Sequence, residues 1–69
     1  MIDNEALKQF IQSENNISVQ RIMSTEIEYG DCDVYYNVNI NFLDHSGVLF
    51  KDEYFTVALL DLVNFAYQK

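Results

Sequence analysis

Four carboxylates lie within one short segment of the chain, at Glu26, Glu28, Asp31 and Asp33. Carboxylate oxygens are the ligands that Ca²⁺ prefers, but a calcium loop needs them at ordered positions around a glycine turn. This segment lacks that order, so the sequence predicts neither a metal nor a cofactor. Clustered carboxylates also attract cationic surfaces, which makes the segment a candidate binding site for a basic partner.

Two further side chains could act as nucleophile or base, and neither has the surroundings that such chemistry needs. Cys32 lies between two aspartates, and neighbouring negative charge disfavours the reactive thiolate. His45 lies in a four-residue turn, where its neighbours in sequence point apart and cannot form a triad. With only two glycines, the chain also lacks a glycine-rich phosphate loop. The sequence therefore predicts a protein that is not an enzyme.

The elements that position these residues follow from the spacing of apolar side chains. Asp3 is a candidate N-cap for an amphipathic helix, and the segment SENN at 13–16 is typical of a helix end, because asparagine tolerates the left-handed conformation. Apolar residues then recur at every second position, as in strands. The predicted order is helix 3–12, strand 17–29, strand 33–43, strand 48 to about 51, and a last helix beginning between residues 52 and 56.

Two turns set the predicted strand pairing. YGDC at 29–32 is the first, and DHSG at 44–47 fits a type I turn closed by a glycine bulge. The resulting cross-strand pairs are Glu28 with Asp33, Glu26 with Tyr35, Phe42 with Phe50, and Leu43 with Leu49. The last two pairs place like with like, which favours their register.

Alternation divides the predicted sheet into an apolar inner face and a polar outer face. The outer set is Ser18, Gln20, Ser24, Tyr35, Asn37, Asn39 and Asn41, interrupted by Ile22, Leu43 and Leu49. Tyrosine among asparagine and serine is typical of adaptable protein-recognition surfaces. Arg21 falls on the inward phase, where Asp52 or Glu53 could pair with it. The alternative, which we expect, is that Arg21 lies at the sheet edge with its guanidinium reaching water.

These elements predict a single domain over residues 1–69, an α+β fold of two layers in the order α-β-β-β-α. A three-stranded antiparallel meander would carry both helices on one face. In element order and size the chain resembles the double-stranded-RNA-binding domain. That family contacts RNA through lysines at the start of its last helix, whereas residues 52–55 here read DEYF. The resemblance therefore implies the fold and not the RNA-binding function.

The last predicted helix lies within YFTVALLDLVNFAY at 54–67 and is apolar on more than one side. The stripe expected to face the sheet is Phe55, Leu59, Leu62 and Ala66. The second side, a candidate dimer interface, carries Val57, Leu60, Asn64 and Tyr67. Either the first helix packs against this second side or another chain does.

Eleven acidic residues against four basic ones give a net charge of −7. Nucleic-acid binding depends on lysines and arginines that neutralise phosphates, so this composition disfavours direct binding to nucleic acid and to anionic membranes. The start of the chain lacks the pattern of a signal peptide, and its longest apolar run, VALL, is far too short to span a bilayer. Together with the lone cysteine, these features predict a cytoplasmic protein.

A 69-residue acidic chain carrying Glu26, Glu28, Asp31 and Asp33 is similar to small phage-encoded antagonists of bacterial defence or repair enzymes. These are the anti-CRISPR proteins and the uracil-DNA glycosylase inhibitors, many of which present carboxylates where the target expects phosphates. The resemblance implies an inhibitor that engages a basic groove of a nucleic-acid-handling protein. The expected contact residues are Glu26, Glu28, Asp31, Asp33, Tyr35, Asn37 and Asn39. The alternative is a homodimeric structural or assembly subunit with the last helix as its interface.

Overall fold

A computed structural model of the chain describes residues 4–67. The elements are α1 (Asn4–Asn15), β1 (Ser18–Tyr29), β2 (Val34–Leu43), β3 (Leu49–Ala58) and α2 (Leu59–Ala66). The strands form one antiparallel sheet in the order β1-β2-β3. The predicted α-β-β-β-α class is therefore confirmed. The predicted N-cap, Asp3, lies outside the described residues.

Both helices cover the same face of the sheet, and the core lies between the two layers. Every element contributes a buried side chain: Leu7, Ile11, Val19, Val38, Ile40, Val57 and Leu62. Phe10 of α1 meets Phe65 of α2 edge to face, with 5.4 Å between ring centroids, and this contact joins the two helices. Within residues 4–67 neither helix covers the opposite side of the sheet, which we call the outer face.

α1 ends three residues later than predicted, and an asparagine determines where it ends. Asn16 adopts a φ of 53°, and its N–H donates to the Gln12 carbonyl at 3.0 Å. The left-handed conformation thus stops the helix as expected, but at the last residue of the 13–16 segment. The Gln12 side chain then accepts the Val19 N–H at 2.9 Å, which ties α1 to the start of β1.

The second hairpin has the predicted register. Phe42 pairs with Phe50 and Leu43 with Leu49, and the two phenylalanine rings stack with centroids 5.0 Å apart. The turn closes through the Gly47 N–H, which donates to the Asp44 carbonyl at 3.0 Å. Gly47 has a φ of 87°, a conformation in which other residues are strained, so glycine is required there.

The first hairpin turn lies one residue later than predicted, so the two predicted pairs there are wrong. The turn spans residues 30–33, where the Gly30 N–H donates to the Asp33 carbonyl at 2.7 Å. Glu28 consequently pairs with Tyr35, and Glu26 pairs with Asn37. The observed register avoids a direct Glu28–Asp33 contact between like charges, which would be destabilising.

Two bulges in β1 move side chains to the faces opposite those predicted. Gln20 and Met23 are the extra residues, so Arg21 pairs with Asn41 and Ile22 pairs with Ile40. Arg21 therefore lies on the outer face and Ile22 on the inner face, where it packs against the core. Each bulge shifts the two-residue period by one, which alternation alone cannot predict. Arg21 does lie exposed on an edge strand, as expected.

The third strand is longer and the last helix shorter than predicted. β3 continues to Ala58, and α2 has only eight residues. The predicted helix start between residues 52 and 56 is therefore wrong, and DEYF at 52–55 belongs to a strand. Val57, expected on a helix surface, lies in β3 with 3% of its surface exposed. A bulge at Asp52, with a φ of 57°, lets this strand continue past the hairpin.

Candidate functional site

The outer face consists of alternate residues from three adjacent strands. The central strand β2 contributes Tyr35, Asn37, Asn39 and Asn41; β1 contributes Arg21, Ser24, Glu26 and Glu28; β3 contributes Tyr54 and Thr56. Tyr35, Asn37 and Asn39 each lie between a β1 and a β3 neighbour in the register, whereas the bulge in β3 leaves Asn41 with a β1 neighbour alone. From residue 35 to residue 41 the face is mainly polar, with its negative charge on the β1 side, and it becomes apolar at the Leu43–Leu49 pair.

Asn37 links all three strands through its amide group. Its Nδ2 donates to the Glu28 carboxylate on β1, and its Oδ1 accepts the Thr56 hydroxyl of β3 at 3.0 Å. Asn41 does the same at the other end of β2. Its Oδ1 accepts the Asp52 N–H at 3.1 Å, and its Nδ2 contacts the Met23 sulfur at 3.6 Å. These bonds orient the side chains of the outer face.

Asn39 lies between those two residues and differs from both. Its Oδ1 is buried and has no hydrogen-bond partner within the described part of the chain. Its cross-strand neighbours are Ser24 and Tyr54. An unpaired buried acceptor costs about 1–3 kcal/mol. Asn39 is therefore a point on the outer face where hydrogen-bonding capacity goes unused.

The first hairpin turn places two more carboxylates at the end of the outer face. Asp31 and Asp33 are exposed, as are Glu26 and Glu28. The Tyr35 hydroxyl donates to Asp33 Oδ2 at 3.2 Å. The negative charge of Asp33 and this hydrogen bond raise the pKa of Tyr35 above its ordinary value of 10.0. Tyr35 therefore remains a protonated donor at neutral pH, beside a strongly acidic turn.

The structure brings together the seven residues that the sequence predicted for partner binding. Five of them share the outer face: Glu26, Glu28, Tyr35, Asn37 and Asn39. The other two, Asp31 and Asp33, lie in the adjoining turn. Sequence reasoning missed Tyr54 and Thr56, because it assigned that segment to a helix. Their alternation with Phe55 and Val57 was the signal that could have found them.

The predicted dimer interface is divided by the structure. Leu60 and Tyr67 are 70% and 74% exposed, and Asn64 is also exposed. Val57 is in the core and offers no free surface. A shallow groove of about 290 Å³ runs beside Leu60 and is otherwise lined by residues 32–34, 58–59 and 63. Leu60, Asn64 and Tyr67 thus remain a surface on the helix side, and the groove beside Leu60 reaches Asp33 of the first turn.

Residues with potential for metal binding or catalysis are dispersed. Within residues 4–67, no three or more His, Cys, Asp or Glu side chains converge as a metal site. Cys32 is free and exposed in the first turn, and His45 is exposed in the second. Neither α1 nor α2, the helices of the described segment, has the length and apolar character needed to cross a membrane.

Tyr35, Asn37, Asn39 and the surrounding carboxylates thus form a polar surface whose exposed acceptors are the carboxylates of β1 and the first turn. The sequence matches no protein-family model and no curated protein, and the fold matches no solved structure.

Proposed function

We propose that this chain is a non-enzymatic, protein-binding inhibitor that engages a basic groove of a nucleic-acid-handling protein. The contact surface is the outer face together with the acidic turn at residues 30–33. One observation carries the proposal: Glu26, Glu28, Tyr35, Asn37 and Asn39 share a face that neither helix covers, next to Asp31 and Asp33. The mode of action is that of the anti-CRISPR-type antagonists which the chain resembles.

The chemistry of this surface suits lysine and arginine. Glu26 and Glu28 lie two residues apart on β1, and alternate residues of a strand are spaced by about 7 Å, so they present carboxylates in a row. Asn37 holds the Glu28 carboxylate in place. Tyr54, which is 65% exposed, offers an aromatic ring on which a guanidinium can stack. A groove of the target protein that normally binds phosphates would meet carboxylates here, which are hydrogen-bond acceptors with the same negative charge.

The cytoplasm is the compartment that fits this role. Nucleic-acid-handling targets act there in bacteria, and the single cysteine of the chain is free and exposed, which a reducing compartment tolerates. A net charge of −7 would also steer the chain towards basic surfaces and speed association at low salt.

The test compares two variants of equal net charge. The site variant carries Glu26→Gln, Glu28→Gln, Asp31→Asn and Asp33→Asn. The control variant carries Glu5→Gln, Glu14→Gln, Asp52→Asn and Glu53→Gln, which removes four carboxylates of α1 and β3 that lie outside the proposed contact surface. Each protein is immobilised, exposed to nuclease-treated bacterial lysate at low and high salt, and the retained proteins are identified by mass.

The proposal expects a nucleic-acid-handling protein to be retained by the wild type and the control, released at high salt, and lost from the site variant. Rim charges act mainly through screened electrostatics, so retention should fall steeply as salt rises. Equal retention by both variants would contradict the proposal, because binding would then not depend on the four carboxylates of β1 and the first turn. Circular dichroism of each variant verifies the fold.

The homodimeric subunit remains the second candidate. The observation in its favour is the exposure of Leu60 and Tyr67 on or next to α2. With eight residues and with Val57 buried, α2 offers less surface than the sequence predicted. We therefore place it behind the inhibitor.

A further inference from the structure

The second half of β1 extends beyond the cover of the helices. Of its 12 residues only Val19 is buried, and all those from 23 to 29 are exposed. Ile27 and Tyr29 lie on the inner face, opposite Tyr36 and Val34, yet they are 51% and 80% exposed. A strand with an apolar inner side is thus left open next to a packed core.

The backbone on this side of the sheet is open as well. Within residues 4–67, β1 pairs with β2 alone, so its other edge presents N–H and C=O groups that can join another strand. The β3 edge differs, because the bulge at Asp52 and the inward phase of Glu53, opposite Ile40, blunt it. Charged inward residues and bulges are the usual protection of an edge strand. β1 has bulges of its own at Gln20 and Met23, but its segment 24–29 has neither a bulge nor a charged residue on the inner face.

We infer that a second copy of this chain pairs with β1, antiparallel and about a two-fold axis at Thr25. Residues that face each other across two strands share one face of the sheet, and the bulges of β1 fix which residues lie on which face. With the axis at Thr25 every pair matches. Ser24 meets Glu26 on the outer face, Ile22 meets Ile27 on the inner face, and Arg21 meets Glu28 on the outer face.

Charge and burial favour this register over its neighbours. An axis at Glu26 would place that carboxylate against its own copy, and an axis at Ile27 would pair Glu26 with Glu28; both contacts are destabilising. An axis at Ser24 would pair Arg21 with Glu26, but it would place the exposed Ile27 beside Val19, which is already buried. The axis at Thr25 brings the cation of Arg21 to Glu28 and places Ile27 beside Ile22, which is only partly buried.

The resulting dimer has a continuous six-stranded sheet. Its two outer faces join, and the exposed Ile27 side chains pack against Ile22 of the other copy. The net charge of −7 opposes association at long range, but the Debye length is about 8 Å at physiological salt, so contact pairs dominate there. This inference goes beyond the proposed function and does not depend on it.

The experiment measures mass against concentration by sedimentation at physiological salt. The wild type is expected to dimerise. Arg21→Glu and Glu28→Arg each place like charges at both symmetric contacts. Each should raise the dissociation constant of the dimer by about tenfold. Mixing the two variants restores both contacts with opposite charges, so the mixture should form a heterodimer of near wild-type strength.

Matched controls lie on β3. Lys51→Glu and Glu53→Arg make the same changes in net charge at exposed positions outside the interface, and both should dimerise like the wild type. A wild type that stays monomeric up to about 100 μM would overturn the inference. So would a dimer that is abolished by Leu60→Glu and unaffected by Arg21→Glu, since that result assigns the contact to α2. Failure of the mixture to associate would also overturn it.

Discussion

Asp44 shows how one side chain can determine a turn. Its Oδ1 accepts the Val48 N–H at 2.9 Å, the Ser46 hydroxyl at 2.8 Å and the Ser46 N–H at 2.9 Å. The Val48 and Ser46 donors favour the ionised carboxylate and lower the pKa of Asp44 below its ordinary value of 3.8. The folded state therefore binds this proton less readily than the unfolded chain does.

This difference predicts an acid-dependent loss of stability that Asp44→Asn removes. Because the folded pKa is lower, the charge stabilises the fold above pH 3.8, and that stabilisation is lost as the pH falls through the folded pKa. The wild type should exceed the variant in free energy of unfolding near neutral pH, and the gap should narrow at about pH 3. Urea unfolding at the two pH values measures it; a gap that stays constant would contradict the electrostatic cause.

At the residue scale, the sequence predicts a position well where one residue has a local mechanism. Asp44 and Gly47 define their turn through a side-chain acceptor and a positive φ, and both the turn and its register are found as predicted. Arg21 has no such local determinant. Its face depends on bulges at Gln20 and Met23, which arise from how β1 fits β2 and leave no mark in composition.

At the scale of elements, the boundary between β3 and α2 was the hardest to predict. Phe55, Leu59 and Leu62 fit a helical stripe, while Phe55 and Val57 also fit the inner side of a strand. Pairing with β2 decides between them, since Val38 faces Phe55 and Tyr36 faces Val57. Partners distant in sequence thus override the local pattern. The faces of Tyr35, Asn37 and Asn39 were predicted better, because they follow the clean alternation of β2.

Asn37 and Asn39 offer a paired prediction about the outer face. Asn37→Val removes the bonds to Glu28 and from Thr56, and should lower the free energy of unfolding by about 1 kcal/mol. Asn39→Val removes an unpaired buried acceptor and adds a β-branched side chain to the central strand, so it should raise that free energy by about 1 kcal/mol. Urea unfolding of both variants measures the difference.

The pair also separates stability from binding. If Asn39 serves the partner surface, Asn39→Val should be more stable than the wild type and yet bind the retained target less tightly, a trade-off common at functional sites. Equal destabilisation by both variants would mean that Asn39 Oδ1 already has a partner, such as an ordered water. That result would contradict a role for Asn39 in the partner surface.

At the scale of the molecule, the charge is distributed unevenly over a small fold. Over the described residues 4–67, seven side chains form the buried core, so the margin of stability is narrow. Four of the eleven acidic residues lie together on β1 and the first turn. Their mutual repulsion is a cost to the folded state, and in the proposed function a basic partner relieves it.

This repulsion predicts that salt stabilises the protein. Screening should raise the melting temperature by several degrees between about 20 and 200 mM NaCl, on the order of 1 kcal/mol for a domain of this size.

The variant Glu26→Gln, Glu28→Gln, Asp31→Asn, Asp33→Asn should melt higher at low salt and respond less to added salt. The control with Glu5, Glu14, Asp52 and Glu53 changed to amides has the same net charge, but the carboxylates that it removes lie on α1 and β3, so it should retain most of the response. Calorimetry measures the melting temperatures of the three proteins at both salt concentrations. Identical responses to salt would show that the repulsion is spread over the whole surface and does not come mainly from the four carboxylates of β1 and the first turn.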